Sequence, residues 1–348
     1  MIDIAEQIPG FDVPQSIMFG HSTHLMDSFS PAIERIILPQ RQVPPLPFSV
    51  RAFAGQAGPA LRIPPRAGRM TRMKAKLRHH LNQHKPVLRR PDVFLVDGRF
   101  TYDGNIAHIL QSHVSPVRFA ELLLGRQRGH VPKLQVVLRS RASILARRLY
   151  KFLGIPVILY DGPVEGTVVT IEPMKRPYAV YPHVLNESIP GYAADTPTRI
   201  YLSRRGSRFV VNEDEVVRVL QSRGFTRVFL EDVSFAQQLS IMRNAREIVA
   251  VHGAGIAWLV FKNGIPQAGG EPRPGFSLVE LFGPGFITDH FRHLVAALGG
   301  AWCCVRGQMT PAVVRDLDFR RRPRSHESDS FIVDPDALEE ALDFVSDG

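Results

Sequence analysis

The stretch that decides the fold is EIVAVHGAGIAWLVF, residues 247–261. Its first half is an apolar run typical of a buried strand, the run breaks at His252, Gly253, Ala254 and Gly255, and the second half has the character of a helix. In a strand–turn–helix unit, the first backbone N–H groups of the helix lack a partner within the helix and face the turn. Glycines there let a phosphate approach the backbone closely. The sequence therefore predicts an anion site at this turn.

Alternating strand and helix segments continue on both sides of the turn. Asn212 and Ser234 stand where two helices begin, and we expect them to cap those helices. The C-terminal half contains the predicted strands RIYLSR, RVFLED, SLVELFG and AWCCVRG and the predicted helices NEDEVVRVLQSRG, SFAQQLSIMRNA and DHFRHLVAALGG. The half before it contains the predicted strands DVFLVDG, KLQVVLRS, IPVILYDG and GTVVTIEPM and the predicted helices NIAHILQSHVSPVRFAELLL and RASILARRLYKFLG. This alternation with short links predicts an α/β fold with two Rossmann-like domains.

Composition divides the chain into four predicted segments. Residues 1–92 are Pro-rich and basic, and we expect an irregular segment partly packed on the first domain. Residues 93–190 form the predicted N-terminal Rossmann-like domain, and residues 191–330 the second one. Residues 331–348 form a predicted acidic C-terminal helix. The boundary is predicted in SIPGYAADTPT, residues 188–198, a stretch of Pro, Gly and small residues.

The length and the cysteine content indicate the class of protein. The 348 residues suffice for two domains with cores of ordinary size, and no run of eighteen apolar residues or secretory signal stands out. The two cysteines, Cys303 and Cys304, are neighbours in a strand-like run, where side chains point to opposite faces, so we expect no disulfide between them. This cysteine usage favours a reducing, cytoplasmic compartment.

Positive charge is concentrated near the N-terminus. The 43 basic and 33 acidic residues leave a net charge of +10, and residues 62–90 carry ten Lys or Arg, three His and no acid. Such a face could bind anionic lipid, nucleic acid or an acidic glycan, and a solvated surface helix explains it equally well. It contains no aromatic residue for base stacking, so we expect no nucleic-acid partner.

Several familiar catalytic motifs are missing from the sequence. There is no G-x-x-x-x-G-K, no G-x-G-x-x-G and no G-x-S-x-G, which argues against a P-loop, a dinucleotide fingerprint and an esterase. His79, His80 and His84 form the one histidine cluster, and the cations around it would repel a divalent metal. We therefore expect no metal site.

The order of several motifs resembles glycosyltransferase family 61. The matching blocks are RIYLSRR, NEDE, SFAQQ, MRNAREIVAVHGAGIAWLVF, VELF and, further towards the N-terminus, NIAHILQSHVSPV. They cover about residues 93 to 300, whereas the first ninety residues show no resemblance. Gln237 replaces the usual acid and Ile109 the usual Trp after His108, which affects the acceptor side more than the fold.

The resemblance implies a GT-B architecture, in which two Rossmann-like domains face each other across a cleft. It also implies transfer of a sugar, with inversion, from a nucleotide-sugar donor to a glycan or lipid-linked acceptor. No cofactor and no obligatory metal are expected beyond the donor. We expect such an enzyme to act in surface polysaccharide biosynthesis, in the cytoplasm or bound peripherally to an anionic inner membrane surface.

The expected donor site combines cations with the glycine turn. Arg204 and Arg205 end one strand, and Gly253, Ala254 and Gly255 end another, so both groups could meet at one diphosphate. A pair of surface charges is the alternative for the two arginines. His252 could form a hydrogen bond with the donor sugar or phosphate, and a buried core histidine is the alternative. Glu280 could bind the ribose hydroxyls of the donor, and an ion pair with a neighbouring Arg is the alternative.

The proton acceptor is expected in the N-terminal domain. His108 and Asp97 are the candidates, because His or a carboxylate can take the proton of the acceptor hydroxyl. Asp103 competes with them, and a structural histidine is the alternative for His108. Asn105 is expected to cap the helix that carries His108. An alternative for the whole chain is a non-enzymatic basic module that binds an anionic glycan, a membrane or nucleic acid.

Overall fold

The computed structural model describes residues 1–21, 32–59, 69–99, 103–174, 193–262, 275–315 and 326–346. The chain divides into two compact units. Unit 1 comprises Met1–Pro9 and Pro45–Glu187, and unit 2 comprises Gly10–Pro44 and Ser188–Gly348. The chain therefore enters unit 2 once near its N-terminus, returns to unit 1, and completes unit 2 last.

Strands and helices alternate through most of the described chain. The strands are β1 (Ile2–Ile8), β2 (Phe11–Val13), β3 (Ser16–Gly20), β4 (Glu34–Leu38), β5 (Arg41–Val43), β6 (Leu46–Ala57), β7 (Leu88–Asp97), β8 (Leu134–Leu138), β9 (Val157–Leu159), β10 (Val164–Glu172), β11 (Arg199–Leu202), β12 (Thr226–Val228), β13 (Glu247–Val251), β14 (Ser277–Phe282), β15 (Ala301–Arg306), β16 (Gln308–Met309) and β17 (Phe331–Ile332). The α-helices are α1 (Arg69–Gln83), α2 (Ile106–Ile109), α3 (Ser115–Arg128), α4 (Ile144–Phe152), α5 (Glu213–Ser222), α6 (Phe235–Asn244), α7 (His290–Ala297), α8 (Pro311–Arg315) and α9 (Pro335–Ser346). A π-helical turn, Leu110–Val114, joins α2 to α3, and Leu230–Asp232 and Ala254–Phe261 are 3-10 helices.

Unit 1 is built on a mixed sheet with the strand order β1-β6-β10-β7-β8-β9. Strands β10, β7, β8 and β9 are parallel, whereas β6 is antiparallel to both β1 and β10. The helices α3 and α4 connect the parallel strands, as expected for successive strand–helix–strand crossovers. The parallel strands place the ends of β7, β8 and β9 at one edge of the sheet.

Unit 2 contains a sheet with the strand order β12-β11-β13-β14-β15-β3-β4. The first six strands in this order are parallel, and β4 is antiparallel at the edge. Nearly every residue of β13 and β14 is buried, as continuous apolar runs predict for central parallel strands. Side chains of α5 and α9 cover one face of this sheet and complete its hydrophobic core. An α/β architecture with parallel sheets is thus confirmed.

The N-terminal segment differs from the expected irregular segment. Where the sequence predicts irregular chain in residues 1–92, the described part contains strands β1 to β6, helix α1 and the start of β7. Strands β1 and β6 extend the sheet of unit 1, while β3 and β4 extend that of unit 2. Several of the described prolines lie between strands, whereas Pro47 lies near the start of β6 and Pro91 within β7. A Pro-rich composition therefore does not reveal short strands whose partners are distant in sequence.

The helix caps follow the sequence in one case and depart from it in another. Ser234 accepts a hydrogen bond from the backbone of Gln237, and the Gln237 side chain returns to Ser234, which completes a capping box. Asn212 occupies the N-cap position of α5, but its side chain makes no capping bond. It donates instead to Glu215 and to the Val333 carbonyl. The Asn212 side chain therefore ties α5 to the start of the C-terminal segment.

Helix α9, Pro335–Ser346, lies within residues 331–348, where the sequence predicts an acidic C-terminal helix. Four of its side chains are buried in the core of unit 2, so it belongs to that unit. A search of the described helices finds none with the length and apolar character that crossing a membrane requires.

Candidate functional site

The strand order of unit 2 creates a crevice beside the glycine turn. After β11 the chain adds β12 on one side, then crosses over to add β13, β14 and β15 on the other. Beyond the carboxyl ends of β11 and β13, where the direction reverses, lies a cavity of about 270 Å³. Its walls include Arg204, Arg205, Leu230 and the turn Gly253 to Gly255. Ligands of open α/β sheets bind at such a switch point.

The turn brings its backbone close to neighbouring side chains. A Cβ added to Gly253 would lie 2.4 Å from Nη1 of Arg204, and one added to Gly255 would lie 2.6 Å from Cδ1 of Leu230. Gly253 itself is extended, with φ of 178°. The glycines are therefore required for close approach, and their small size lets the Arg204 guanidinium lie directly against the turn.

The segment after the turn is a 3-10 helix, where the sequence suggested an ordinary helix. The Ile256 N–H donates to the Gly253 carbonyl at 3.2 Å. The N–H groups of Ala254 and Gly255 precede the first bond of this helix, so they have no acceptor within it. They lie in the wall of the crevice, where an anion could accept from them.

Arg204 is held rigidly beside the crevice by neutral partners. Nη1 donates to the His252 carbonyl at 3.0 Å, and Nη2 donates to Oγ of Ser207 at 3.3 Å. Burial lowers the pKa of the half-buried guanidinium, and the nearby charge of Arg208 lowers it further. Throughout the described ranges, Arg204 forms no ion pair with a carboxylate. Its charge is therefore only partly balanced, by the field of Glu231.

Arg208 is a second half-buried cation that the sequence analysis missed. Its backbone is left-handed, with φ of 60°, and its buried Nε has no hydrogen-bond partner. Burial lowers the pKa of this guanidinium too. Within the described ranges neither arginine has a carboxylate at ion-pair distance, although the field of Glu327 partly balances the charge of Arg208. Two half-buried cations that repel each other favour a bound anion. The cluster RRGSR was the available signal, and counting its third arginine would have found Arg208.

Arg205 is placed differently from Arg204. Its Nη1 pairs with Oδ1 of Asp232 at 2.7 Å, and its guanidinium stacks over Phe229 at 3.8 Å. Both side chains of the ion pair are about half exposed. Arg205 thus lies in the wall of the crevice as an exposed side chain whose charge is already neutralised by a surface partner.

His252 and Glu280 form a buried pair next to the crevice. Nδ1 of His252 and Oε1 of Glu280 are 2.5 Å apart, and the Trp302 indole N–H donates to Oε2 at 3.0 Å. The His252 ring stacks on Phe282 with 5.0 Å between centroids. All three polar side chains share one face of the sheet because side chains alternate along β13, β14 and β15.

This pairing bears on the roles expected for the two residues. Glu280 is fully buried and neither of its oxygens faces the crevice, so the contact with a ribose is replaced by bonds to His252 and Trp302. The expected alternative of an Arg partner is replaced by His. The His252 ring lies outside the crevice wall, whereas its carbonyl holds Arg204. Trp302 was missed because its contact spans two strands.

The candidates for the proton acceptor lie in unit 1. Asp97 ends β7 and holds the fully buried Arg99 through both carboxylate oxygens at 2.9 Å. His108 is exposed in the first turn of α2, where Asn105 provides the predicted cap. Asp103 pairs with Arg139 at 2.6 Å and accepts from the Ser143 backbone. Asp97 and Asp103 are thus engaged in structural contacts.

In the described segments there is no group of three or more His, Cys, Asp or Glu side chains that could hold a metal ion. In the histidine cluster, the rings of His80 and His84 meet edge to edge, and His79 forms a hydrogen bond with Gln83. Cys303 and Cys304 are both free and buried. Burial raises the pKa of both thiols well above the usual range.

Comparison with known proteins identifies the family. The family model described as Glycosyltransferase 61 matches residues 19–265, which is more than half of the chain. The chain belongs to glycosyltransferase family 61. The match includes β11, the glycine turn and β13, and it begins at residue 19, within the segment where the sequence showed no resemblance.

Several animal enzymes are similar in sequence to part of this chain. The protein O-linked-mannose beta-1,4-N-acetylglucosaminyltransferases 2 of Canis lupus familiaris, Pan troglodytes and Homo sapiens are each 27% identical to it over 244 residues. The matched region covers 60% of this chain and 40% of each relative, so the chain spans less than half the length of these proteins.

Proposed function

We propose that this chain transfers a sugar from a nucleotide-sugar donor to a hydroxyl of a glycan or lipid-linked acceptor. The donor diphosphate binds in the crevice of unit 2. The observation that carries the proposal is the half-buried Arg204, which lies against a glycine turn at the switch point of a parallel sheet. A second half-buried arginine, Arg208, is near enough for its charge to lower the pKa of Arg204. Membership of family 61 supports glycosyl transfer as the chemistry.

The proposed reaction breaks the bond between the anomeric carbon and the diphosphate oxygen. The acceptor oxygen forms its bond to that carbon from the opposite face, so the configuration inverts, and its proton passes to a base. Negative charge develops on the departing diphosphate, where Arg204, Arg208 and the N–H groups of Ala254 and Gly255 stabilise it. Because fixed cations supply this charge, the proposal includes no obligatory metal.

Glu280 and His252 position Arg204 in this proposal. Glu280 fixes the His252 ring, and the backbone carbonyl of His252 accepts a hydrogen bond from Arg204. Trp302 holds the second oxygen of Glu280, so the carboxylate cannot rotate away. These residues act through the arginine, and they replace the direct donor contacts that the sequence suggested for their side chains.

His108 is the proposed proton acceptor. It is exposed on a helix that Asn105 caps, so solvent and an acceptor hydroxyl can reach it. Asp97 and Asp103 form ion pairs with Arg99 and Arg139. The approach of His108 to the donor requires the two-domain GT-B arrangement, which is part of the proposal. A His108→Gln variant should lose turnover and keep donor affinity, because a base acts on the acceptor hydroxyl.

The proposal also covers the donor sugar and the cellular setting of the reaction. The relatives are named as N-acetylglucosaminyltransferases, so a nucleotide-linked N-acetylglucosamine is the first donor to test. Surface polysaccharide assembly at the cytoplasmic face of a membrane is the proposed setting, and the basic helix α1 supports a membrane surface as partner.

The test is thermal unfolding with UDP, GDP, TDP, ADP and CMP, each with and without EDTA. A nucleotide at about one hundred times its Kd should contribute about 2.7 kcal/mol, a shift of several degrees. We expect one nucleotide to shift Tm regardless of EDTA, and Arg204→Ala and Arg208→Ala to abolish the shift. Arg218→Ala, an exposed arginine on α5, is the matched control. Nucleotide binding that survives both arginine substitutions would refute the proposed site.

A further inference from the structure

Unit 1 contains a larger and more basic cavity than the crevice of unit 2. It has a volume of about 770 Å³ and lies between α1 and the loops that follow β7, β8 and β9. Its lining cations are Lys74, Arg78, Lys85, Arg99, Arg139 and Arg141. A single carboxylate, that of Asp161, lines it with them. The cavity is therefore strongly positive and lies at the carboxyl edge of parallel strands, where α/β sheets bind ligands.

The charges in this basic cavity are incompletely balanced. Arg99 and Arg139 pair with carboxylates behind the wall, and Lys85 lies 3.6 Å from Asp161. Lys74, Arg78 and Arg141 have no carboxylate partner anywhere in the described ranges, although all three line the space. Three unpaired cations around one cavity attract an anion with more than one negative charge.

His79 provides a separate observation that indicates a polar ligand. It lines the same cavity from α1, and Gln83 contacts its Nε2 at 3.1 Å. Its Nδ1 is buried without a hydrogen-bond partner. A buried, unsatisfied ring nitrogen is costly unless a ligand or water completes it. An oxygen-rich anion in the cavity would satisfy this atom.

Helix α1 also exposes an apolar stripe beside the cavity. Met70, Met73, Leu77 and Leu81 are each at least 60% exposed. Their spacing of three and four residues places them on one side of the helix, next to the side that carries Lys74. Cations follow the stripe on its other side as well, and α1 contains no acid. An exposed apolar stripe between rows of cations is the pattern of a helix that lies on an anionic membrane surface.

We propose that α1 rests on an anionic bilayer and that the basic cavity binds the diphosphate headgroup of a membrane lipid, the carrier of the acceptor. Helix α1 presents its apolar stripe to the acyl chains and its adjacent basic side to the headgroup. A single membrane therefore supplies both contacts. The assignment of the lipid as acceptor rests on the proposed glycosyl transfer. The lipid site itself depends only on the features of unit 1.

The test measures sedimentation of the full chain with vesicles of three compositions. These are phosphatidylcholine alone, phosphatidylcholine with phosphatidylglycerol, and phosphatidylcholine with a long-chain prenyl diphosphate at equal surface charge. We expect the tightest binding to the prenyl diphosphate. Lys74→Ala/Arg78→Ala should weaken that binding by about tenfold or more and remove the preference. Arg69→Ala/Lys76→Ala is the matched control, because it removes two charges of the same helix outside the cavity and should keep the preference.

Three results would overturn the inference. Equal losses in the two double variants would reduce the effect to general surface charge. Unchanged vesicle binding by Leu77→Ser/Leu81→Ser would exclude the apolar stripe as a membrane contact. Full competition by equimolar inorganic diphosphate would show that a free anion, and no lipid, is the ligand.

The same variants separate this inference from the proposed function. Nucleotide shifts of Tm depend on unit 2 and should be unchanged in all of them. Nucleotide binding without vesicle binding would refute the lipid site and leave the transferase intact. Vesicle binding by a chain that binds no nucleotide would leave the lipid site and refute the transferase.

Discussion

Arg204 and Arg208 carry more of the proposed function than any other side chains in unit 2. Burial lowers the pKa of both guanidiniums, and their mutual repulsion adds to this for Arg204. Folding alone gains nothing from placing two like charges near each other in half-buried positions, since each loses hydration without gaining a carboxylate partner in the described part of the chain. A ligand anion offsets that cost, which is why such an arrangement marks a binding site.

Gly253→Ala should displace Arg204 while leaving the fold intact. The new Cβ would lie 2.4 Å from Nη1 of Arg204, and the extended backbone at Gly253 suits alanine. We expect nucleotide affinity, measured by calorimetric titration, to fall by about tenfold or more, because one charge-assisted contact is lost. Gly275→Ala is the control, since a Cβ there meets no atom within 4 Å. Unchanged affinity in Gly253→Ala would show that Arg204 makes no donor contact.

Asp97→Asn tests a structural role for this residue. Asp97 neutralises Arg99, whose side chain has no exposed surface, through two bonds of 2.9 Å. Removing one partner of a buried ion pair leaves the other charge uncompensated, so urea denaturation should show a loss of about 3 kcal/mol or more. Asp3→Asn, which breaks an exposed pair with Arg51, should cost less than about 1 kcal/mol. A stable but inactive Asp97→Asn protein would instead support Asp97 as the base.

Helix α6 packs on the 3-10 helix that follows the glycine turn, and side chains cap both of its ends. Ser234 and Gln237 satisfy its N-terminus, and Nζ of Lys262 donates to the carbonyls of Arg243 and Ala245 at its C-terminus. Its Gln238 accepts from the Trp258 indole N–H in the 3-10 helix after the glycine turn. The caps therefore stabilise a helix that packs on the segment forming the crevice wall.

Ser234→Ala should lower the free energy of unfolding by about 1 kcal/mol, because the capping bond to the Gln237 backbone is lost. The measurement is chemical denaturation of the full chain. Ser222→Ala near the end of α5 is the control, since its hydroxyl donates to a carbonyl one turn earlier and caps no N–H group. Equal effects of the two substitutions would show that the capping box contributes nothing beyond an ordinary surface bond.

Lys262 predicts a pH dependence of stability. Burial, aided by Arg246, lowers its pKa to about 8 from the usual 10.5. Between these values the unfolded chain binds the proton and the folded chain does not, so stability rises with pH in this window. Relative to Lys262→Met, the wild-type protein should gain up to about 3 kcal/mol from pH 8 to 10.5. If the free energy of unfolding changed equally with pH in the two proteins, the lowered pKa of Lys262 would be contradicted.

The path of the chain links the two units through the N-terminal segment. Strand β1 pairs with β6 in unit 1, and β3 pairs with β15 in unit 2. Residues near the start of the chain therefore complete both sheets, and β3 covers a flank of β15 that would otherwise be a free edge. The N-terminal segment belongs to the architecture of both units rather than being an appendage to one.

Phe19→Ala should show that this segment belongs to the core of unit 2. Phe19 on β3 is 1% exposed and meets Phe344 of α9 edge-on at 6.0 Å between centroids. We expect thermal and urea unfolding to report a loss of about 3 to 5 kcal/mol from the cavity left behind. The control is Ile37→Ala on the neighbouring β4, where the side chain is 62% exposed and little should change. A small effect at Phe19 would mean that unit 2 is stable without β3.

Local sequence determined the elements whose signals lie within about fifteen residues. The apolar runs of β13 and β14, the Ser234 cap and the glycine turn after β13 were all predictable, because periodicity and capping chemistry act between near neighbours. The α/β class and the family followed from the order of these elements. The position of Arg204 was predictable as well, since it lies two residues beyond the end of strand β11.

Tertiary structure alone decided the contacts between residues distant in sequence. Glu280 binds His252 and Trp302 because the register of three strands brings them together, and no local pattern encodes that register. The pairing of β3 with β15 joins opposite ends of the chain. Residues such as Arg208 show their role only through burial and missing partners, which depend on the complete packing around them. Local propensities therefore specify the elements, whereas long-range packing determines which polar groups are satisfied and which remain available for a ligand.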